Sequence, residues 1–103
     1  MRRRAKVDDN HSAVVSALRQ CGFTVQSLAS VGSGCPDLLV GKNGVNVLLE
    51  IKDGHKIESK RKLTDDERVW IANWRGQVGV VEFPAEAVLI AADLCRSRLP
   101  AFQ

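Results

Sequence analysis

Asp37, Glu50 and Lys52 are the residues of this chain whose types and spacing could do chemistry. Glu50 and Lys52 stand in "LLEIKDG", near the end of a stretch that reads as a β-strand. Alternate strand residues point to one face, so Glu50 and Lys52 share a side with Asn46 and Leu48. Val45, Val47, Leu49 and Ile51 make an apolar opposite side. A surface ion pair is one reading of Glu50 and Lys52. The neighbouring hairpin suggests another. Asn43-Gly44 between two apolar runs is the strongest short hairpin signal, and with those residues at the turn Lys42 faces Val45. Leu39 then faces Leu48, Val40 faces Val47, Leu38 faces Leu49, and Asp37 lies opposite Glu50. Directly opposed side chains have β-carbons about 4.5–5.5 Å apart, where two carboxylates repel unless a cation sits between them. Such a pair suits a hard divalent ion, Mg2+ or Mn2+. Protonated Lys52 is no metal ligand, but it can hold a water or a developing anion beside one. The surface-pair reading accounts for none of this.

These side chains need a sheet to carry them. Residues from about Asp9 to Cys21 read as a helix, with Asp8 or Asp9 as cap, Val14, Ala17, Leu18 and Cys21 at helical spacing, and Gly22 at its end. "FTVQSL" alternates as a first strand, and "ASVGSG" closed by Pro36 is a flexible turn. "DLLVGK" and "VNVLLEIKD" are the hairpin strands. The polar stretch from Gly54 to Lys62 reads as a mobile loop. Thr64 and Glu67 form a capping box, with Asp65 and Asp66 at the positive end of a helix running to about Arg75. Its Trp70, Ile71 and Trp74 share one face and are expected as core, the rival being a platform on which bases stack. "QVGVVEF" is a fourth strand, and "PAEAVLIAADLCRSRL" a last helix with an early proline. The order is α-β-β-β-α-β-α in one α/β domain. It spans residues 9–96, between a basic tail (1–8) and a C-terminal tail (97–103).

A chain of 103 residues suits one core, and 45% hydrophobic with 26% charged residues is ordinary for a globular domain, which argues against long disorder. The apolar runs are too short to cross a bilayer. No repeat period is visible. No apolar segment follows the basic N-terminus, so no secretory signal is expected. Cys21, Cys35 and Cys95 are odd in number and lack zinc-ligand spacing, so reduced thiols in a cytoplasmic protein are expected. The net charge of +3 is modest, but Arg2, Arg3, Arg4 and Lys6 form one basic cluster and Lys56, Lys60, Arg61 and Lys62 another. Two clusters on a small domain fit a polyanionic partner. On charge alone, a solvated tail and loop fit equally. "GSGCPD" lacks the spacing of a phosphate-binding loop and opens a strand rather than a helix.

The "PD", then twelve residues, then "EIK" resembles the PD-(D/E)xK nuclease superfamily, and the element order matches its restriction-endonuclease-like core, a mixed sheet flanked by helices. Within it the chain looks most like the small stand-alone VRR-NUC nucleases of phages and prophages, which are similar to archaeal-type Holliday-junction resolvases. The resemblance runs from about Val7 to Val88, most specifically in "GCPDLLVGKNGVNVLLEIKDG" and more weakly in "KLTDDERVWIANWRGQVGVV". It implies Asp37 and Glu50 as ligands of Mg2+ or Mn2+, Lys52 as the catalytic lysine, and the backbone carbonyl of Ile51 as a further ligand. Relatives often carry an acid on the first helix where this chain has His11, close to Asp9 and Asn10. His11 reads either as a metal contact, direct or through water, or as a structural or surface histidine. Gln77 reads as a contact to a site water or phosphate, or as a cap on the sheet edge. The basic residues Arg2, Arg3, Arg4, Lys56, Lys60, Arg61 and Lys62 would meet DNA. The implied protein is a homodimeric, structure-selective DNA endonuclease of the bacterial host cytoplasm, expected to cut four-way junctions and to leave 5′-phosphate and 3′-hydroxyl ends. The alternatives are a flap, nick or duplex endonuclease, or a non-catalytic DNA-binding domain on the same fold.

Overall fold

Asn43 and Gly44 set the centre of the fold. In the computed structural model, which describes residues 9–96, both take positive φ, 54° and 78°. That turn matches the right-handed twist of the strands it joins. It links β2 (Leu38–Lys42) to β3 (Val45–Ile51) with Lys42 facing Val45, Leu39 facing Leu48 and Leu38 facing Leu49. This is the register the turn predicts. β1 (Thr24–Ser27) pairs antiparallel with β2, while β4 (Val78–Val81) lies parallel to β3, giving a mixed sheet in the order β1-β2-β3-β4. A parallel pair needs a long crossover. Here it carries a 3-10 turn at Glu58–Lys60 and helix α2 (Asp65–Asn73). With α1 (His11–Gln20) before the sheet and α3 (Pro84–Arg96) after it, the order is the α-β-β-β-α-β-α expected.

The two faces of the sheet differ. Val45, Val47, Leu49 and Ile51 on one face of β3 join Val14 and Leu18 of α1 and Ala87 and Ala91 of α3 in one buried cluster. Each large aliphatic side chain buried there contributes about 1.5–3 kcal/mol. Gly79 lets α3 approach β4, since a Cβ would meet Ile90 Cγ2 at 2.9 Å. On the other face burial deepens along β3: Asn46 is exposed, whereas Leu48, Glu50 and Lys52 are buried. The loop before β2 and the start of α2 close over that end. Gly34, at φ +86°, lies against α2, where a Cβ would come within 2.4 Å of the Asp66 carbonyl oxygen.

Tertiary contacts change several local expectations. α1 starts after Asn10, and its end carries no side-chain cap. Asp9 instead pairs with Lys56 at 3.6 Å. The Asn10 amide donates to the carbonyls of Lys52 (3.2 Å) and Glu82 (2.9 Å), tying the start of α1 to the ends of β3 and β4. The stretch from Gly54 to Lys62 is no featureless loop, because Arg61 Nε donates to the Lys56 carbonyl across the 3-10 turn. No residue of α2 is buried. Trp70 is half-buried and Trp74 is exposed, so the two are not core. They stack on each other instead, with centroids 4.7 Å apart. The three cysteines are free thiols. No helix among the described residues is long and apolar enough to cross a membrane. The two tails, with Arg2, Arg3 and Arg4, lie outside the described residues.

Candidate functional site

Asp37 stands just before β2, and its carbonyl accepts a bond from Leu28 N–H at 2.6 Å, so the pairing with the first strand continues past the ladder. Its Oδ2 accepts from Ile51 N–H at 2.8 Å, which fixes the carboxylate across the hairpin beside Glu50. Glu50 is 2% exposed. Burial first, and then the charges of Asp37 and Glu67, push its pKa up to about 9. As a carboxylate it would leave Oε1 buried without a hydrogen-bond partner. Such an orphaned acceptor costs on the order of 1–3 kcal/mol. At neutral pH the side chain therefore holds a proton unless a cation replaces it.

Lys52 Nζ lies 3.8 Å from Glu50 Oε2 and 2.7 Å from Glu67 Oε1. That same Glu67 oxygen accepts from Thr64 N–H at 2.8 Å, while Thr64 Oγ1 accepts from Glu67 N–H at 3.2 Å. The capping box is thus complete, and Glu67 serves the helix end and the lysine together. Burial opposes charge on Glu67, but the hydrogen bonds from Lys52 and Thr64 outweigh it and hold its pKa below the usual value. Cys35 borders the site: burial, then the charges of Glu50 and Asp37, raise its thiol pKa. The sequence offered no sign of Glu67's second role, because the capping motif already explained it locally. Cys35, two places before Asp37, could have been found by its position.

The other anticipated residues are placed as follows. Ile51 joins the site through its backbone, as the donor to Asp37. His11 opens α1 and lines a groove with Val15, Val25 and Ser27; its Nδ1 is buried without a partner, and it makes no hydrogen bond to Asp37 or Glu50. Gln77 stands at the opposite end of β4 from Val81, which pairs with Ile51. Its amide donates to the Leu94 carbonyl of α3, and its own carbonyl accepts from Leu48 N–H at 3.2 Å. Arg61 Nη1 meets Glu82 at 3.5 Å, and Lys56 is half-buried beside Asp9, whereas Lys60 and Lys62 are exposed.

Asp37, Glu50 and the Ile51 carbonyl are oxygen donors of the kind a hard divalent ion takes, with water and phosphate completing its shell. The orphaned Glu50 Oε1 is an acceptor that such an ion would satisfy. Among the described residues no group of three or more His, Cys, Asp or Glu side chains is arranged to hold a metal. The arrangement fits an ion held largely by water and phosphate better than one caged by side chains. Comparison of the chain with known protein families, with curated proteins and with solved structures returned no match.

Proposed function

We propose that this protein is a Mg2+- or Mn2+-dependent DNA endonuclease with a PD-(D/E)xK core, acting in the cytoplasm on branched DNA, with the four-way junction as its leading substrate. The observation that carries the reading is the buried Glu50 carboxyl, held against Asp37 and within 3.8 Å of the Lys52 ammonium at one strand end. A surface ion pair would have no reason to bury an acid beside a second acid. A bound ion would lower the pKa of a water and neutralise charge on the phosphate. Asp37 and Glu50 would hold it, as could the carbonyl of Ile51; His11, whose buried Nδ1 has no hydrogen-bond partner, is the further candidate contact, direct or through water. Lys52 orients the attacking water and offsets the charge that develops on phosphorus. Glu67 keeps the ammonium in place. Water adds to phosphorus, the bond to the 3′ oxygen breaks, and that oxygen takes a proton, leaving a 5′-phosphate and a 3′-hydroxyl. A homodimer would supply the two symmetric cuts that a junction requires.

The test is cleavage of end-labelled duplex, flap and four-way junction DNA with Mg2+ or with chelator. Asp37→Asn and Glu50→Gln should abolish the Mg2+-dependent products. Lys52→Ala should keep the Mg2+-induced rise in melting temperature and lose most turnover. Products that survive both carboxylate substitutions would remove the site assignment. Binding without cleavage by the unaltered protein would leave a DNA-binding domain on the same fold.

A further inference from the structure

A cavity of about 460 Å3 opens on the sheet face that carries Glu50 and Lys52. Leu39 and Leu48, facing partners on β2 and β3, line its sheet side, and Trp70 of α2 and Trp74 just past the helix end line it as well. Leu48 precedes Glu50 by one position on that face, roughly 7 Å along the strand. The two indoles stack at an interplanar angle of 21°, and Trp74 is 45% exposed. Rings serving only as core would be covered. Asn46, also exposed, adds an amide to the lining, with a donor and an acceptor together. Lys60 and Lys62 are exposed on the segment leading into α2.

A flat aromatic surface, an aliphatic side and an amide edge are the chemistry that recognises a nucleobase out of its helix. Exposed lysines on the segment leading into α2 are the charges that a phosphate backbone running past α2 would meet. We infer that this cavity receives an unpaired nucleobase of the strand being cut, one nucleotide from the scissile phosphate; this rests on the nuclease reading of Asp37, Glu50 and Lys52. A paired base must first leave its stack to enter. The cavity therefore selects flaps, gaps and opened branch points over intact duplex. A second copy of this chain could cover Trp74 as well, but an interface of that kind does not call for a cavity on the sheet face that carries Glu50.

The test uses 2-aminopurine as the probe, placed either in the flap next to a duplex junction or at a paired position, titrated with protein in chelator. Binding should quench the unpaired probe strongly and the paired probe little. Trp74→Ala, and Leu39→Trp to fill the cavity from its sheet side, should each remove the quenching and weaken flap binding about tenfold, within the range of one base stacked on an aromatic ring. Duplex binding should not change. Asp37→Asn, which removes cleavage, should keep the quenching. Flap quenching and affinity unaltered in both cavity variants overturn the inference while Mg2+-dependent cleavage still stands. Loss of a dimer on Trp74→Ala, seen by light scattering without DNA, overturns it in favour of a second copy. Quenching by a protein that cuts no DNA with Mg2+ supports the cavity and removes the nuclease reading.

Discussion

Glu50 makes the metal-free protein sensitive to pH. Its carboxyl titrates at 4.5 in the ordinary state and at about 9 in the fold, so the folded state holds this proton more tightly than the unfolded state does. Stability from this group is fully present below the lower value and is lost as pH rises through the upper one. The melting temperature in chelator should therefore fall across that window, and Glu50→Gln should flatten the fall. A divalent ion replaces the proton, so the rise in melting temperature on adding Mg2+ should be larger at the alkaline end of the window than at the acid end. Equal rises at both ends would mean that Glu50 is no ligand. Asp37 is a less clean probe of repulsion, because Asp37→Ala also leaves Ile51 N–H without its acceptor.

The element that decides the site is α2. Nothing in it is buried, so its position depends on its N-terminal end and on the loop that meets it. Thr64→Ala removes the cap and should cost about 1 kcal/mol. Glu67→Gln keeps a residue suited to the capping box but takes away the anion facing Lys52. The first should lower the melting temperature with a modest effect on turnover. The second should do the reverse and shift the pH profile of cleavage. If both changed stability and turnover in proportion, the pairing of Glu67 with Lys52 would be structural only. Two glycines separate a turn from a close approach. Gly44 has φ +78° and open space around it, so Gly44→Ala should cost about 1–2 kcal/mol. Gly34 adds a Cβ clash with the Asp66 carbonyl to its positive φ. Gly34→Ala should cost more in thermal unfolding and, by lifting α2 from the Asp37 loop, should also reduce turnover.

At the scale of the molecule, the basic loop is split between structure and solvent. Arg61 bonds the Lys56 carbonyl and meets Glu82, and Lys56 pairs with Asp9. Lys60 and Lys62 are exposed. Replacing those two by alanine should reduce the logarithmic salt slope of duplex binding by about 0.9 for each phosphate that is no longer neutralised. An unchanged slope would mark the loop as merely solvated. For assembly, β4 is an edge strand with Val80 37% exposed, and Leu89 on α3 is 70% exposed. A dimer through this side leaves the candidate site open, and Leu89→Glu should dissociate it in light scattering and abolish paired cuts in a junction. A monomer that still cuts both strands in concert would rule that arrangement out.

What was readable from the sequence depended on short-range rules. The alternation of Val45, Val47, Leu49 and Ile51 and the backbone demands of Asn43-Gly44 are local, and together they determined the hairpin register that sets Asp37 against Glu50. The capping box and the order of elements were readable for the same reason. The tertiary structure alone decided what lies across the sheet from these elements. Nothing in "TDDERVW" shows that Glu67 turns toward Lys52, because that pairing depends on how the crossover lays α2 over the end of β3. Nor does helical spacing show whether Trp70 and Trp74 are buried: spacing determines that they share a face, and the packing decides what that face meets. The side-chain amide of Asn10 went to the ends of β3 and β4 instead of to its own helix, since two strand-end carbonyls in reach bind it across the fold. Burial itself, which turns Glu50 from a surface acid into a candidate ligand, is a property of everything folded around it.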